Sequence, residues 1–200
     1  WNIGAEGQYV MGGLCGGAVA IFAHGLDGFW VLPLMLVAGA LGGLVFGLIP
    51  AMLRNRFGIS EILSSLMLVY VAELLLDYLV RGPWRDPRAF NFPKSVNFDA
   101  AATLQPIVEG GKLHWGVALA LLSVIVALFL LGRSLFGFAV AATGEAPRAA
   151  NFAGFNEKLL TLQVFAISGG LAGLAGIIEV SANIGQLQPS ISQGYGFTAI

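Results

Sequence analysis

The stretch "GVALALLSVIVALFLL", Gly116 to Leu131, decides the fold class of this chain. It contains no charged residue, and it does not alternate between apolar and polar residues as the roughly ten-residue strands of a membrane β-barrel do. It approaches the about 20 apolar residues that an α-helix needs to cross a lipid bilayer. The stretch therefore predicts a membrane-spanning helix.

The rest of the chain has the same character. Hydrophobic residues make up 57% of the sequence and charged residues 10%, with a mean hydropathy of +0.82, whereas soluble domains carry roughly 25% charged residues. Five windows are apolar enough to span: Tyr9 to Ala23, Trp30 to Pro50, Ile59 to Val80, Leu113 to Leu131 and Leu159 to Val180. We expect an all-α fold, a polytopic transmembrane helical bundle with broken or re-entrant helices and with membrane lipid around it.

Charge and reactive residues exclude several classes of function. The formal net charge of −1 and the lack of a dense lysine or arginine cluster argue against nucleic-acid binding. Cys15 is the single cysteine, so no disulfide forms within these residues. His24 and His114 lie far apart without neighbouring ligand residues, so we predict no metal site, no cofactor and no catalytic residue.

Small residues recur at helical spacing along three of the windows. The sets of glycines four residues apart are Gly12/Gly16, Gly13/Gly17, Gly39/Gly43/Gly47 and Gly169/Gly173. Because lipid supplies no hydrophobic drive for helix association, small residues four apart favour close backbone contact between helices. The spacing predicts a compact bundle.

The connections indicate an orientation. Arg54 and Arg56 lie in the short turn after the second window, which the positive-inside rule places in the cytoplasm. Residues 82–112 then form an external loop and residues 132–158 a cytoplasmic loop. The start at Trp1 and the apolar ending "GYGFTAI" lead us to expect one transmembrane domain over residues 1–200, cut from a longer chain at both ends.

A polar stretch, "NIGAEGQ" (2–8), comes directly before the first window. Gly4 and Gly7 loosen a helix, and Asn2, Glu6 and Gln8 offer hydrogen bonds. Broken helices at membrane depth occur where the backbone lines a cavity or is buried in protein. Two interpretations of Glu6 stay open: it lines a translocation path, or it is a buried structural acid that fixes helix packing.

Other polar residues follow in the later windows. Asp77 and Arg81 are four residues apart, which predicts an ion pair at the outer interface and leaves Glu73 for the interior. Gln186 follows the fifth window in a segment interrupted by glycine and proline. It either meets solute at an outer mouth or belongs to a solvated loop.

The cytoplasmic segment contains a short helical pattern, Glu145 to Phe152, bounded by Gly144 and Gly154. Such a helix across the cytoplasmic face suits a groove on a soluble partner, and the alternative is a simple surface loop. Pro147 is tolerated in the first turn of this helix and breaks it further inside.

Four motifs carry a resemblance to a known family. They are "NIGAEGQ" (2–8), "RFGISEILSSLMLVYVA" (56–72), "GPWRDP" (82–87) and "GEAPRAANFAGFN" (144–156). In this order they resemble permease subunits of bacterial ABC importers, in the branch for nucleosides and simple sugars that is related to ribose and branched-chain amino acid permeases. The last motif is similar to the coupling loop of those permeases.

The resemblance implies a set of partners and sites. In that family the permease is no enzyme: it pairs with a second permease in the bacterial inner membrane, ATPase subunits dock on its cytoplasmic helix, and an external binding protein delivers the solute. The docking residues implied here are Gly144, Glu145, Ala146, Arg148 and Gly154. The expected path residues are Asn2, Glu6, Gln8, Glu73 and Gln186. The absence of a GxxxxGK[ST] run agrees with a subunit that binds no ATP.

The solute is expected to be a nucleoside. Simple sugars and branched-chain amino acids are alternatives within the same machinery. An ion-coupled secondary transporter is an alternative outside it, because broken helices suit both classes.

Overall fold

The computed structural model describes residues 2–26, 28–90, 92–107 and 113–199. Its helices are α1 (Ala5–Phe22), α2 (Val31–Phe57), α3 (Glu61–Arg81), α4 (Gly116–Arg133), α5 (Leu135–Glu145), α6 (Pro147–Phe152), α7 (Glu157–Glu179) and α8 (Tyr195–Thr198). A π-helical turn, Val180–Ile184, extends α7. Among the described residues there is no strand, only an isolated bridge between Pro106 and His114, and the predicted all-α fold is confirmed.

Within the described part of the chain, four helices are long and apolar enough to cross a membrane. They are Val31–Phe57, Glu61–Arg81, Gly116–Arg133 and Glu157–Ile184, and they correspond to four of the five predicted windows. The remaining window, Tyr9 to Ala23, lies mostly in α1, whose first two turns carry Glu6 and Gln8.

Helices α1, α2 and α7 form the core of the bundle, and glycines let them approach. A Cβ atom added to Gly12 of α1 would overlap the backbone of Gly173 on α7, and one added to Gly43 of α2 would lie 2.6 Å from the Gly173 Cα. We call the contact of α1, α2 and α7 through these glycines the glycine seam. The close packing predicted from the glycine spacing is confirmed.

Helix α3 packs on the seam and α4 stands apart from it. Ser65, Val69, Ala72 and Leu76 form part of a buried stripe along α3, and Gly4 and Gly7 allow this stripe to lie against α1. The sequence suggested that Gly7 loosens the helix. In the structure, Gly7 instead lies inside the continuous helix α1, in contact with Val69 of α3. Gly116 is the one buried residue of α4.

The irregular loop 82–107 covers one end of the bundle. The backbone N–H groups of Ser95, Phe98 and Leu104 donate to the carbonyl oxygens of Leu187, Gly185 and Ser181 at 2.9, 2.7 and 3.2 Å. These bonds attach the loop to the segment that follows α7. Residues 91 and 108–112 of the expected external loop lie outside the described residues.

The segment 132–158, expected to be a loop with one short helix, contains two helices, and the boundary of the short helix differs. Gly144 and Glu145 belong to the end of α5, and α6 begins at Pro147. The residue before a proline is disfavoured in the α region, and Ala146 accordingly adopts φ −142° and ψ 75°. Pro147 is tolerated as the first residue of α6 because an N–H at that position has no partner inside the helix.

Replacing Gly173 with alanine tests the glycine seam. The added methyl group would meet the backbones of Gly39 and Gly43, which cannot rotate away, so we expect a loss of about 1–3 kcal/mol in the free energy of unfolding. Thermal unfolding of the purified protein in lipid nanodiscs measures the change. Gly132→Ala on α4 is the matched control, because nothing lies within 4 Å of a Cβ there; equal stability of the two variants would contradict the seam.

Candidate functional site

Two amides of the opening stretch bind each other inside the bundle. The side-chain Nδ2 of Asn2 donates to Gln8 Oε1 at 2.6 Å and to Ser168 Oγ at 2.8 Å, and Gln8 Nε2 donates to Asn2 Oδ1 at 3.1 Å. Gln8 is only 1% exposed. Buried amides need such partners, because an unsatisfied polar group in an apolar interior is costly. The network connects α1 and the residues before it to Ser168 of α7.

Glu6 lies buried where α1 meets α8. Its side chain is 2% exposed, and its Oε2 accepts a hydrogen bond of 2.6 Å from the backbone N–H of Gly196. A Cβ at residue 196 would overlap the backbone of Glu6, so glycine allows the close approach. Nearby, the rings of Tyr9 and Tyr195 meet edge to face with centroids 6.1 Å apart.

A cleft of about 440 Å³ opens beside α3. It is lined by Tyr70, Glu73 and Asp77 of α3, Val10 of α1, and the segment 189–192. Glu73 is exposed in this cleft and has no hydrogen-bond or ion-pair partner among the described residues. Ionised side chains in membrane helices usually face a bundle interior or an aqueous cavity and pair there, so the cleft marks a face of α3 that is unsuited to lipid.

The predicted pair of Asp77 and Arg81 is confirmed. Arg81 Nε donates to both carboxylate oxygens of Asp77 at 2.7 and 2.8 Å. Of the two acids on this face of α3, Asp77 thus has an ion-pair partner, and Glu73 has none among the described residues.

The five predicted path residues occupy four places. Asn2 and Gln8 share the amide network, Glu6 lies at the contact with α8, and Glu73 lines the cleft. Gln186 is partly buried in the segment after the π-helical turn and does not line the cleft.

Sequence reasoning overlooked two contributions to the cleft. Tyr70 is three residues before Glu73, and this helical spacing was sufficient to place both on one face. The segment 189–192 reaches the cleft only through the tertiary fold, and no sequence signal connects it to α3.

The predicted docking residues are accessible at the end of the bundle opposite the loop 82–107. Gly144, Glu145, Ala146, Arg148 and Gly154 are all exposed. Two residues after the end of α6, Gly154 adopts φ +89°, and the N–H of Phe155 donates to the carbonyl of Ala150 at 3.0 Å. This is a glycine-terminated helix end, as expected from the sequence. The ring of Phe152 on α6 is 95% exposed.

The same end carries an ion-pair cluster. Arg54, in the last turn of α2, pairs with Glu61 at 2.6 Å and with Glu157 at 3.6 Å. Asn55 Nδ2 donates to the carbonyl oxygen of Lys158 at 2.8 Å. The end of α2 and the starts of α3 and α7 therefore meet, and four residues separate α6 from this start of α7.

Histidine and acidic residues form no metal centre within the described ranges. No group of three His, Cys, Asp or Glu side chains there is placed to hold an ion. His24 Nδ1 lies 3.0 Å from Asp99 Oδ2, and the N–H of Gly25 donates to the same oxygen at 2.8 Å. His24 thus takes part in a local contact of the loop.

Comparison with known proteins finds several relatives. The chain is 38% identical over 210 residues to the glucose ABC transporter permease protein of Haloferax volcanii, covering 100% of this chain and 55% of that protein. It is 30% identical over 186 residues to the guanosine ABC transporter permease protein of Bacillus subtilis, with coverage of 90% and 51%. It is 25% identical over 182 residues to the fructose import permease protein of Bifidobacterium longum, with coverage of 88% and 50%. The chain spans about half the length of the curated relatives it matches.

No solved structure matches the chain significantly. A family model described as "Branched-chain amino acid transport system / permease component" matches residues 1–200. Together with the four membrane-length helices, these relatives indicate a multi-pass membrane protein, and the chain belongs to this family of ABC transporter permease components.

Proposed function

We propose that the chain belongs to a permease subunit in an ATP-driven importer of the prokaryotic inner, or plasma, membrane. The observation that carries the proposal is α6, a short exposed helix that packs on α5 and is separated by four residues from the start of α7. An exposed helix in this position suits a groove on a soluble partner. The partners we propose are two ATPase subunits, a second permease subunit, and an external binding protein that delivers the solute.

The solute we propose is a neutral, hydroxyl-rich molecule, and first of all a nucleoside. Glu73 has a free carboxylate that accepts hydrogen bonds from hydroxyl groups, and the ring of Tyr70 beside it offers a face for a base. The motifs "NIGAEGQ" and "GPWRDP" resemble nucleoside-type permeases. Glucose is the second candidate, because the relative with 38% identity is a glucose permease.

The proposed path runs along the cleft beside α3. Glu73 contacts the solute directly, and Gln186 lies toward the outer mouth. Asn2, Glu6 and Gln8 do not contact the solute in this proposal. Their hydrogen bonds, which include those to Ser168 and Gly196, hold α1 against α7 and α8. One exposed carboxylate gives a weak site, which suits a permease that must release its solute.

Uptake by the reconstituted complex tests this function. The full-length protein, its ATPase and its binding protein are placed in liposomes with labelled nucleoside or labelled glucose. We expect uptake to require ATP hydrolysis and to favour the nucleoside. Uptake driven by an ion gradient without ATP would instead make the protein a secondary transporter. Preference for glucose would change the proposed solute and leave the proposed class of transporter as it is.

Replacing Phe152 with alanine tests docking on α6. An exposed aromatic side chain at a protein interface often contributes 2 kcal/mol or more, so we expect the affinity for the ATPase subunit to fall about 30-fold. Surface plasmon resonance with nanodisc-embedded permease measures the affinity. Phe29→Ala is the matched control, because Phe29 is 96% exposed at the opposite end of the bundle; an equal effect of both variants would contradict docking on α6.

Replacing Glu73 with glutamine tests the path. Hydrogen bonds to a charged group contribute roughly 1.5–3 kcal/mol, so we expect the concentration for half-maximal uptake to rise about 10- to 100-fold. We expect basal ATP hydrolysis to stay unchanged, because Glu73 lines the cleft beside α3 and is not part of the docking helix α6.

Glu6→Gln is the control for that variant. Its amide oxygen still accepts the N–H of Gly196, so we expect uptake within about twofold of the wild type. A large loss of uptake in a stable Glu6→Gln protein, with Glu73→Gln unaffected, would assign the solute contact to Glu6 instead.

A further inference from the structure

We infer that Arg54 couples the docking helix α6 to the membrane bundle by joining the ends of three helices. The inference rests on the proposed function and adds to it a positioning residue that transmits movement from the ATPase side. It assigns no contact between Arg54 and either ATP or solute.

The geometry of the cluster supports this role. Arg54 Nη1 lies 2.6 Å from Glu61 Oε1, and Nη2 lies 3.6 Å from Glu157 Oε1. Glu61 is the first residue of α3 and Glu157 the first residue of α7. One guanidinium group, with its two terminal nitrogens, therefore bridges two helix starts from the end of a third helix.

Each charge also suits the helix end on which it lies. Carboxylates are favoured at helix N-termini and cations at C-termini. The two pairs are unequal: the short contact with Glu61 links α2 to α3 across a turn of three residues, whereas the longer contact with Glu157 links different parts of the chain. The contact with Glu157 is the one that can form and break as α7 moves.

The start of α7 is attached to α6. Four residues, 153–156, separate the two helices, and Asn156 caps α7 by accepting from the N–H groups of Lys158 and Leu159 at 3.0 and 3.2 Å. Phe155 packs edge to face on Phe138 of α5, with centroids 6.0 Å apart. A partner that displaces α6 therefore displaces the first turn of α7, and with it Glu157.

The cluster is exposed enough to change partners. The side chains of Arg54 and Glu157 are 40% and 44% exposed, and ion pairs at such positions contribute little to folding stability. A role in holding the fold thus explains the cluster poorly, and we expect the bundle to stay folded when one member is removed.

The test measures solute imported per ATP hydrolysed in liposomes that contain the full transporter. In Arg54→Gln and Glu157→Gln we expect ATP hydrolysis within about twofold of the wild type and import per ATP reduced about tenfold. If the two residues act through one contact, the double variant is no worse than either single variant. Arg56→Gln is the matched control, because Arg56 lies in the same last turn of α2 and has no ion pair among the described residues.

The other outcomes overturn the inference. An unchanged ratio in Arg54→Gln, with hydrolysis and import both at the wild-type rate, shows that movement passes by another route. A proportional loss of hydrolysis and import, or a loss of folded protein, assigns Arg54 a structural role. A wild type that imports without ATP removes the proposed function itself, which distinguishes that failure from a failure of Arg54 alone.

Discussion

Backbone contact through glycine is the constraint on which the rest of this structure depends. In lipid, helices associate through close packing and hydrogen bonds because no hydrophobic drive brings them together. Gly12, Gly43 and Gly173 bring the backbones of α1, α2 and α7 into contact. That contact holds α7 close to the start of α1, where Asn2 bonds both to Gln8 and to Ser168 of α7, so the polar link between these helices depends on the glycine seam.

The polar residues of the bundle divide by whether the fold satisfies them. The amide network and the bond between Glu6 and Gly196 provide buried groups with partners, and such groups hold helices together. Glu73 has no partner among the described residues, although it lies on a helix long enough to span the membrane. A carboxylate in that position needs water, solute or another subunit as a partner. We therefore propose that Glu73, and not one of the buried polar residues that already have partners, contacts the solute.

Much of the fold could be predicted from composition and spacing. Apolar windows indicated the long helices, and glycine periodicity indicated the packing of α1, α2 and α7. The spacing of Asp77 and Arg81 predicted their ion pair, since such pairs depend on one helix alone. The helix predicted to start at Glu145 starts at Pro147, because the proline ring disfavours the α conformation at Ala146. The pairing of Glu6 with Gly196, the cleft beside Glu73 and the bridge from Arg54 to Glu157 join residues distant in the chain, and only the tertiary fold brings them together.

One disulfide cross-link tests the glycine seam most directly. A Cβ atom at Gly42 of α2 would lie 2.6 Å from the sulfur and 2.7 Å from the Cβ of Cys15 on α1, the single cysteine of these 200 residues, so a shift of about 1 Å brings the two Cβ atoms to the separation of a disulfide. The variant Gly42→Cys is oxidised in a background without other cysteines, digested and analysed by mass spectrometry. We predict a peptide pair linked through residues 15 and 42 within one molecule, and none with Gly132→Cys on α4. Unlinked peptides from folded Gly42→Cys protein would contradict the contact of α1 and α2.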